Sequence, residues 1–132
     1  MPSIFTKIIE REIPAHIIAE DEKCIAFLDV NPLRPGHTLV IPKLEIDRFF
    51  DLDPELLAHL MRFAQQVSYA LEKAVECKKI GVAVIGLEVP HAHVHLIPIQ
   101  KVSDMDFSQP KLKVAQEELS QLSQKIRQFM NA

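Results

Sequence analysis

The apolar residues change their spacing several times along the chain, and each change marks an element. Over residues 3–11, Ile4, Ile8 and Ile9 recur at helical spacing behind Ser3, a side chain suited to accept a free N–H at a helix start. Pro14 closes that segment. His16-Ile17-Ile18-Ala19 and Cys24-Ile25-Ala26-Phe27-Leu28 read as strands flanking the polar turn Glu20-Asp21-Glu22-Lys23. Asn31-Pro32-Leu33-Arg34-Pro35-Gly36 is a turn-rich loop. His37-Thr38-Leu39-Val40-Ile41 gives a third strand, closed by Pro42.

The strongest helix follows. Asp53 suits its N-cap, Pro54 its first turn and Glu55 the positive end of its dipole. Leu56, Leu57, Leu60, Ala64, Val67, Leu71 and Ala74 form one apolar stripe, with Met61 and Phe63 beside it. Its predicted end is near Cys77-Lys78-Lys79. Two strands are predicted next, over 80–85 and 91–99. A last helix is predicted over about 115–130, with Leu119, Leu122, Ile126 and Phe129 on one side. Hairpins before a long helix, without steady βαβ alternation, predict an α+β fold. It has about five mostly antiparallel strands, the long helix on one face and a C-terminal helix, in a single domain over residues 1–132.

Composition narrows the function classes. At 48% hydrophobic and 25% charged, the 132 residues can build a core and remain soluble. A net charge of -3 argues against a general nucleic-acid binder, which carries a basic face. Lys7, Glu10 and Arg11 interrupt the N-terminal apolar residues, so no signal peptide is expected. No apolar run reaches the roughly 20 residues that span a bilayer. Cys24 and Cys77 form no CxxC pair and read as free thiols of a reducing compartment. A cytoplasmic location is the expectation.

Half of the six histidines fall in His91-Ala92-His93-Val94-His95. On a strand, alternate side chains share a face. The three imidazoles are therefore expected on a reactive side, with Ala92, Val94 and Leu96 on a core side. Such a cluster can attack phosphorus through a neutral imidazole, donate to phosphate oxygens and move protons. It could also hold a metal, since His-x-His is a zinc-ligand spacing. The nearest carboxylate is Glu88 and no cysteine pair is present, so the metal reading is the weaker one.

Three motifs in order, FLDVNP at 27–32, GHTLVIPK at 36–43 and HAHVHLI at 91–97, resemble the histidine-triad (HIT) family. The resemblance runs from IFTKIIEREIP at 4–14 to HLIP at 95–98 and implies a HIT-like fold. It also implies a hydrolase or transferase acting at the α-phosphate of a purine nucleotide conjugate, of the phosphoramidase or a related type. The resemblance makes His93 the nucleophile of a covalent nucleotidyl-histidine. His95 would hold a non-bridging phosphate oxygen, and His91 and His37 would orient the cluster and relay a proton. Asp29 would accept from ribose hydroxyls. Ile4, Phe5, Ile8, Phe27, Leu28 and Val30 would form the base pocket. Each of these apolar residues also reads as ordinary core, and Asp29 as a turn residue. No cofactor is implied, and a homodimer through the long helix and a neighbouring strand is.

Two stretches depart from the family pattern. Many bacterial relatives carry Cys-x-x-Cys near the start as part of a zinc site. Ser3 and Thr6 stand there instead, so no structural zinc is expected. Before the triad, Gly86-Leu87-Glu88-Val89 replaces a more usual Gly-Gln-Ser/Thr-Val. Leu87 cannot donate, and Glu88, counted with the nucleotide-binding set, brings negative charge beside the phosphate position. An alternative function is therefore a nucleotide-binding regulatory module with little turnover.

Overall fold

The computed structural model describes residues 2–130. Ser3 caps α1 (Ile4–Ile9), its side chain accepting Thr6 N–H. β1 (Ile17–Glu20), β2 (Cys24–Leu28) and β3 (Thr38–Pro42) follow as a meander. Gly36 turns the chain into β3 at φ +90, and a Cβ there would lie 3.0 Å from both Pro98 and Val75. That position therefore demands glycine twice over, for its backbone and for the close approach. After a 3₁₀ turn at Phe49–Asp51, α2 (Pro54–Ala74) starts at Asp53, which accepts Leu56 N–H. β4 (Lys79–Ala83), β5 (Val94–Ile99), a second 3₁₀ turn at Val102–Met105 and α3 (Gln116–Met130) complete the chain.

The five strands pair antiparallel throughout, in the order β1-β2-β3-β5-β4. β4 and β1 are the edges. The sheet has two apolar faces. Ile18, Cys24, Ala26, Leu28, Val40, Val94 and Leu96 meet α2 and α3 on one side. Ile25, Phe27, Leu39 and Ile41 meet Phe5 and Ile8 of α1 on the other. The C-terminal helix is part of the main core, with Leu119 and Ile126 buried and Arg127 donating to the Ile17 carbonyl at 2.6 Å.

Three expectations need correction. α2 ends at Ala74, short of Cys77, because Val75 is already extended and Lys78 N–H pairs with the Ile99 carbonyl. Phe63 is buried in the main core, so it adds nothing to an exposed apolar surface beside the stripe. β5 begins at Val94, so His91 and His93 precede the strand and only His95 belongs to it.

Candidate active site

His95 lies on the α1 face of β5, opposite Leu39 of β3 and Ala83 of β4. His37 immediately precedes β3. His91 and His93 come from the approach to β5, where Ala92 N–H donates to the Ile46 carbonyl instead of to a ladder partner. The four rings are buried. Phe5 presents its ring edge-on to His93 at 5.0 Å and to His91 at 5.8 Å between centroids. Phe107 does the same to His95 at 4.8 Å.

Hydrogen-bond partners fix the tautomer of each ring. Leu33 N–H donates to His37 Nδ1 at 3.0 Å, so His37 carries its proton on Nε2. That proton points to His95 Nδ1, 2.9 Å away. His95 is then left with Nε2–H, a donor. A carbonyl can only accept, so His93 Nδ1, 2.7 Å from the His91 carbonyl, is protonated, and in the neutral ring Nε2 holds the lone pair. By the same rule His91 donates from Nε2 to the Pro42 carbonyl at 2.8 Å. Its Nδ1 then accepts from the Ser3 hydroxyl at 2.7 Å.

Among the described residues no fully buried side-chain N or O lacks a partner. Nε2 of His93 and of His95 have none among these residues, so both open onto solvent. They face a cleft of about 320 Å³ lined by Ile4, Phe5, Asp29, Leu39, Glu88 and Lys111 among others. One nitrogen with a free lone pair and one N–H donor thus sit side by side, with ring centroids 4.9 Å apart.

Burial keeps the supporting rings uncharged. It pulls the His37 pKa down to about 3 and that of His95 to about 4, helped by the neighbouring imidazoles. His91 is lowered by burial too, against the opposing pull of the Pro42 carbonyl and Glu45. His95 therefore acts as a neutral donor near pH 7. Asp29 is raised by burial, which the Asn31 N–H, Lys111 and His93 oppose. Its Oδ1 accepts Asn31 N–H at 2.9 Å in a turn, and its Oδ2 lies 3.7 Å from His37 Nε2.

A family profile described as the HIT domain matches residues 10–102. The chain belongs to the HIT family. A HIT-like protein of Borreliella burgdorferi is 34% identical over 131 residues, covering 93% of this chain and 94% of its own. The crystal structure of a HIT-like protein from Bartonella henselae, described as involved in cell-cycle regulation, has 33% identity and a TM-score of 0.83. It spans 96% of this chain and 95% of its own. The crystal structure of a protein from Sulfolobus tokodaii, described as a hypothetical histidine triad nucleotide-binding protein, has 31% identity and a TM-score of 0.82, over 96% of this chain and 91% of its own.

The fold of this HIT protein gathers some expected site residues and disperses others. His37, His93, His95, Asp29, Ile4, Phe5 and Glu88 line the cleft. His91 stands behind His93 with both ring nitrogens engaged. Phe27 and Ile8 pack beneath the cleft in the α1 cluster. Leu28 points to the opposite face, because its neighbour Phe27 takes the α1 side. Val30 is exposed and does not line the cleft.

With both nitrogens of His91 committed, the trio does not converge on a metal. Asp29, His37 and His95 do bring ligand atoms within 4.8 Å of one another, a grouping their sequence spacing did not offer. There the two imidazole nitrogens share a proton at hydrogen-bond distance. Sequence reasoning missed Phe107 and Lys111, which close the cleft from the segment after β5, with Lys111 Nζ 5.2 Å from the Phe107 ring centre. No motif or periodicity marks either residue. It also missed Glu45, which accepts from Ser3 and Thr6.

Proposed function

We propose that this HIT protein is a hydrolase or transferase that acts at the α-phosphate of a purine nucleotide conjugate. The observation that carries the reading is the pair of tautomers at the cleft. His93 offers an Nε2 lone pair, and His95 offers an Nε2–H beside it. His93 Nε2 bonds to phosphorus, and the electron pair of the breaking bond departs with the leaving group, which takes a proton from solvent in the open cleft. Water then attacks the nucleotidyl-histidine, releasing the monophosphate and restoring neutral His93. The proton that water gives up in this second step returns to solvent. His95 donates to a non-bridging oxygen as charge builds there. Ile4, Phe5, Leu39 and Val89 line the cleft and would form an apolar wall for a base, and the Oδ2 of Asp29, which also lines it, would accept from ribose. The Sulfolobus tokodaii relative, described as nucleotide-binding, supports this choice of ligand.

Incubation with a panel of adenosine and guanosine 5′-phosphoramidates tests the reading directly. Release of the monophosphate above the uncatalysed rate is the expected result. A second reading rests on the stretch before the triad, where Leu87 is 89% exposed and Glu88 is acidic. That stretch offers no neutral side-chain donor to a leaving group, which favours a nucleotide-binding module with little turnover. Saturable nucleotide binding without release would select it.

The protein acts as a cytoplasmic homodimer in this reading. Met61 and Gln65 of α2 and Ile80 and Val82 of β4 line a groove, and the outer edge of β4 has no strand partner among the described residues. A second copy meeting the same surface would cover both.

A further inference from the structure

A set of short hydrogen bonds ties the start of α1 to the triad, and no step of the proposed reaction uses it. The Ser3 hydroxyl accepts Thr6 N–H at 3.0 Å and lies 2.7 Å from His91 Nδ1. Ser3 N–H and the Thr6 hydroxyl both donate to Glu45 Oε1, at 2.6 Å each. These donors hold the Glu45 carboxyl below its ordinary pKa. Glu45 is 42 residues from Ser3, and His91 is 88 residues from it. Three distant stretches therefore meet at Ser3, whose hydroxyl faces His91 and whose backbone N–H faces Glu45.

The direction of each bond follows from what the groups can give. The Thr6 hydroxyl proton is committed to a carboxylate. Ser3 has one proton and two acceptors in range, His91 Nδ1 at 2.7 Å and Thr6 Oγ1 at 3.4 Å. His91 donates from Nε2 to Pro42, so its Nδ1 bears a lone pair, and the shorter contact takes the serine proton. The His91 ring is thereby pinned at both nitrogens. Its own backbone carbonyl is the group that accepts His93 Nδ1–H.

We propose that Ser3, braced by Glu45, is a positioning residue for the nucleophile. By holding the His91 ring it holds the His91 carbonyl, and that carbonyl keeps the His93 proton on Nδ1 and the lone pair on the cleft side. The inference rests on the reading of His93 as the attacking group. Loss of the serine hydroxyl leaves a buried imidazole nitrogen unpaired and frees the ring to reorient.

Ser3→Gly and Ser3→Thr test this together. Glycine retains most of an N-cap while removing the hydroxyl, and threonine keeps both functions. In Ser3→Gly, kcat should fall about tenfold or more, as a slightly misaimed group does, with KM for the nucleotide unchanged. Ser3→Thr should restore kcat. Glu45→Ala, at an exposed position, should lower kcat in the same way to a smaller extent. Nitrogen-15 NMR of the histidine rings should show opposite tautomers in the resting protein, Nε2–H for His91 and Nδ1–H for His93. The His93 Nδ1–H signal should broaden in Ser3→Gly. An unchanged kcat in both Ser3→Gly and Glu45→Ala, or a His91 ring protonated on Nδ1, would overturn the proposal. An inactive wild-type protein that shows both tautomers, with the His93 signal lost in Ser3→Gly, counts against the hydrolase reading alone and supports the network.

Discussion

His93 and His95 are the same residue type two positions apart, and what separates them is which nitrogen each has committed. His93 uses Nδ1 as a donor to the His91 carbonyl, and His95 uses Nδ1 as an acceptor from His37. Their substitutions should therefore differ in kind. His93→Ala should lower kcat by at least about a thousandfold, because it deletes the attacking atom. Nucleotide affinity, measured by titration, should stay within about threefold, since the cleft walls remain. His95→Ala should raise KM and lower kcat together, as a phosphate donor acts in both ground and transition states. His37→Ala removes the donor to His95 Nδ1 and leaves the buried Leu33 N–H without its acceptor. It should cost about 1–3 kcal/mol of stability in a urea titration as well as activity. The trio and His37 were legible in the sequence as candidate site residues, and the fold brings their rings together. Their tautomers were not, because these depend on a serine hydroxyl, a loop amide and two carbonyls whose nearness only the folded chain creates.

Elements were easier to read than their ends. The 3.6-residue stripe and the Asp-Pro start of α2 marked that helix, and its N-cap is where the sequence placed it. Asp53→Ala should lower stability by about 1 kcal/mol, read as a shift in urea midpoint, through loss of the bond to Leu56 N–H. The alternation His-x-His-x-His suggested one unbroken strand from His91. The strand in fact waits until Val94, because Ala92 N–H is spent on Ile46 and His91 N–H on the Val89 carbonyl. That departure from the ladder lets His91 turn toward Ser3 while His95 stays on the sheet face. Leu28 was misplaced for a related reason, since FLDVNP does not say which of two adjacent apolar residues faces the cleft. Phe107 and Lys111 sit outside every regular element, and no pattern pointed to them.

At the scale of the molecule, the sheet divides the protein into a structural side under α2 and α3 and a chemical side under α1. The chemical side carries a pH liability. His37 and His95 are held neutral, with pKa values of about 3 and about 4, whereas an unfolded histidine titrates near 6.5. Below about pH 6.5 the unfolded chain binds protons that the native chain refuses, so stability falls as the pH drops toward those values. Each such ring contributes about 1.4 kcal/mol per pH unit, or roughly 4 kcal/mol for the pair between pH 7.5 and 5. The urea midpoint should move down accordingly, and a midpoint equal at the two pH values would contradict the burial argument. The other side of the sheet bears on assembly. Light scattering at micromolar concentration should give the mass of two chains, and a charge placed on the groove, as in Val82→Lys, should shift it toward one. A monomeric wild-type protein would contradict the dimer.

Nucleophilic attack by His93 makes one covalent bond, and rapid quenching can reveal it. The protein is mixed with an adenosine 5′-phosphoramidate, stopped within milliseconds, and digested under conditions that spare phosphohistidine. Mass spectrometry of the peptide containing residues 91–95 should find a nucleotidyl group on Nε2 of His93, formed and lost at rates that support turnover, and absent in His93→Ala. A protein that turns over phosphoramidate while position 93 stays unmodified at every quench time would contradict nucleophilic attack by His93.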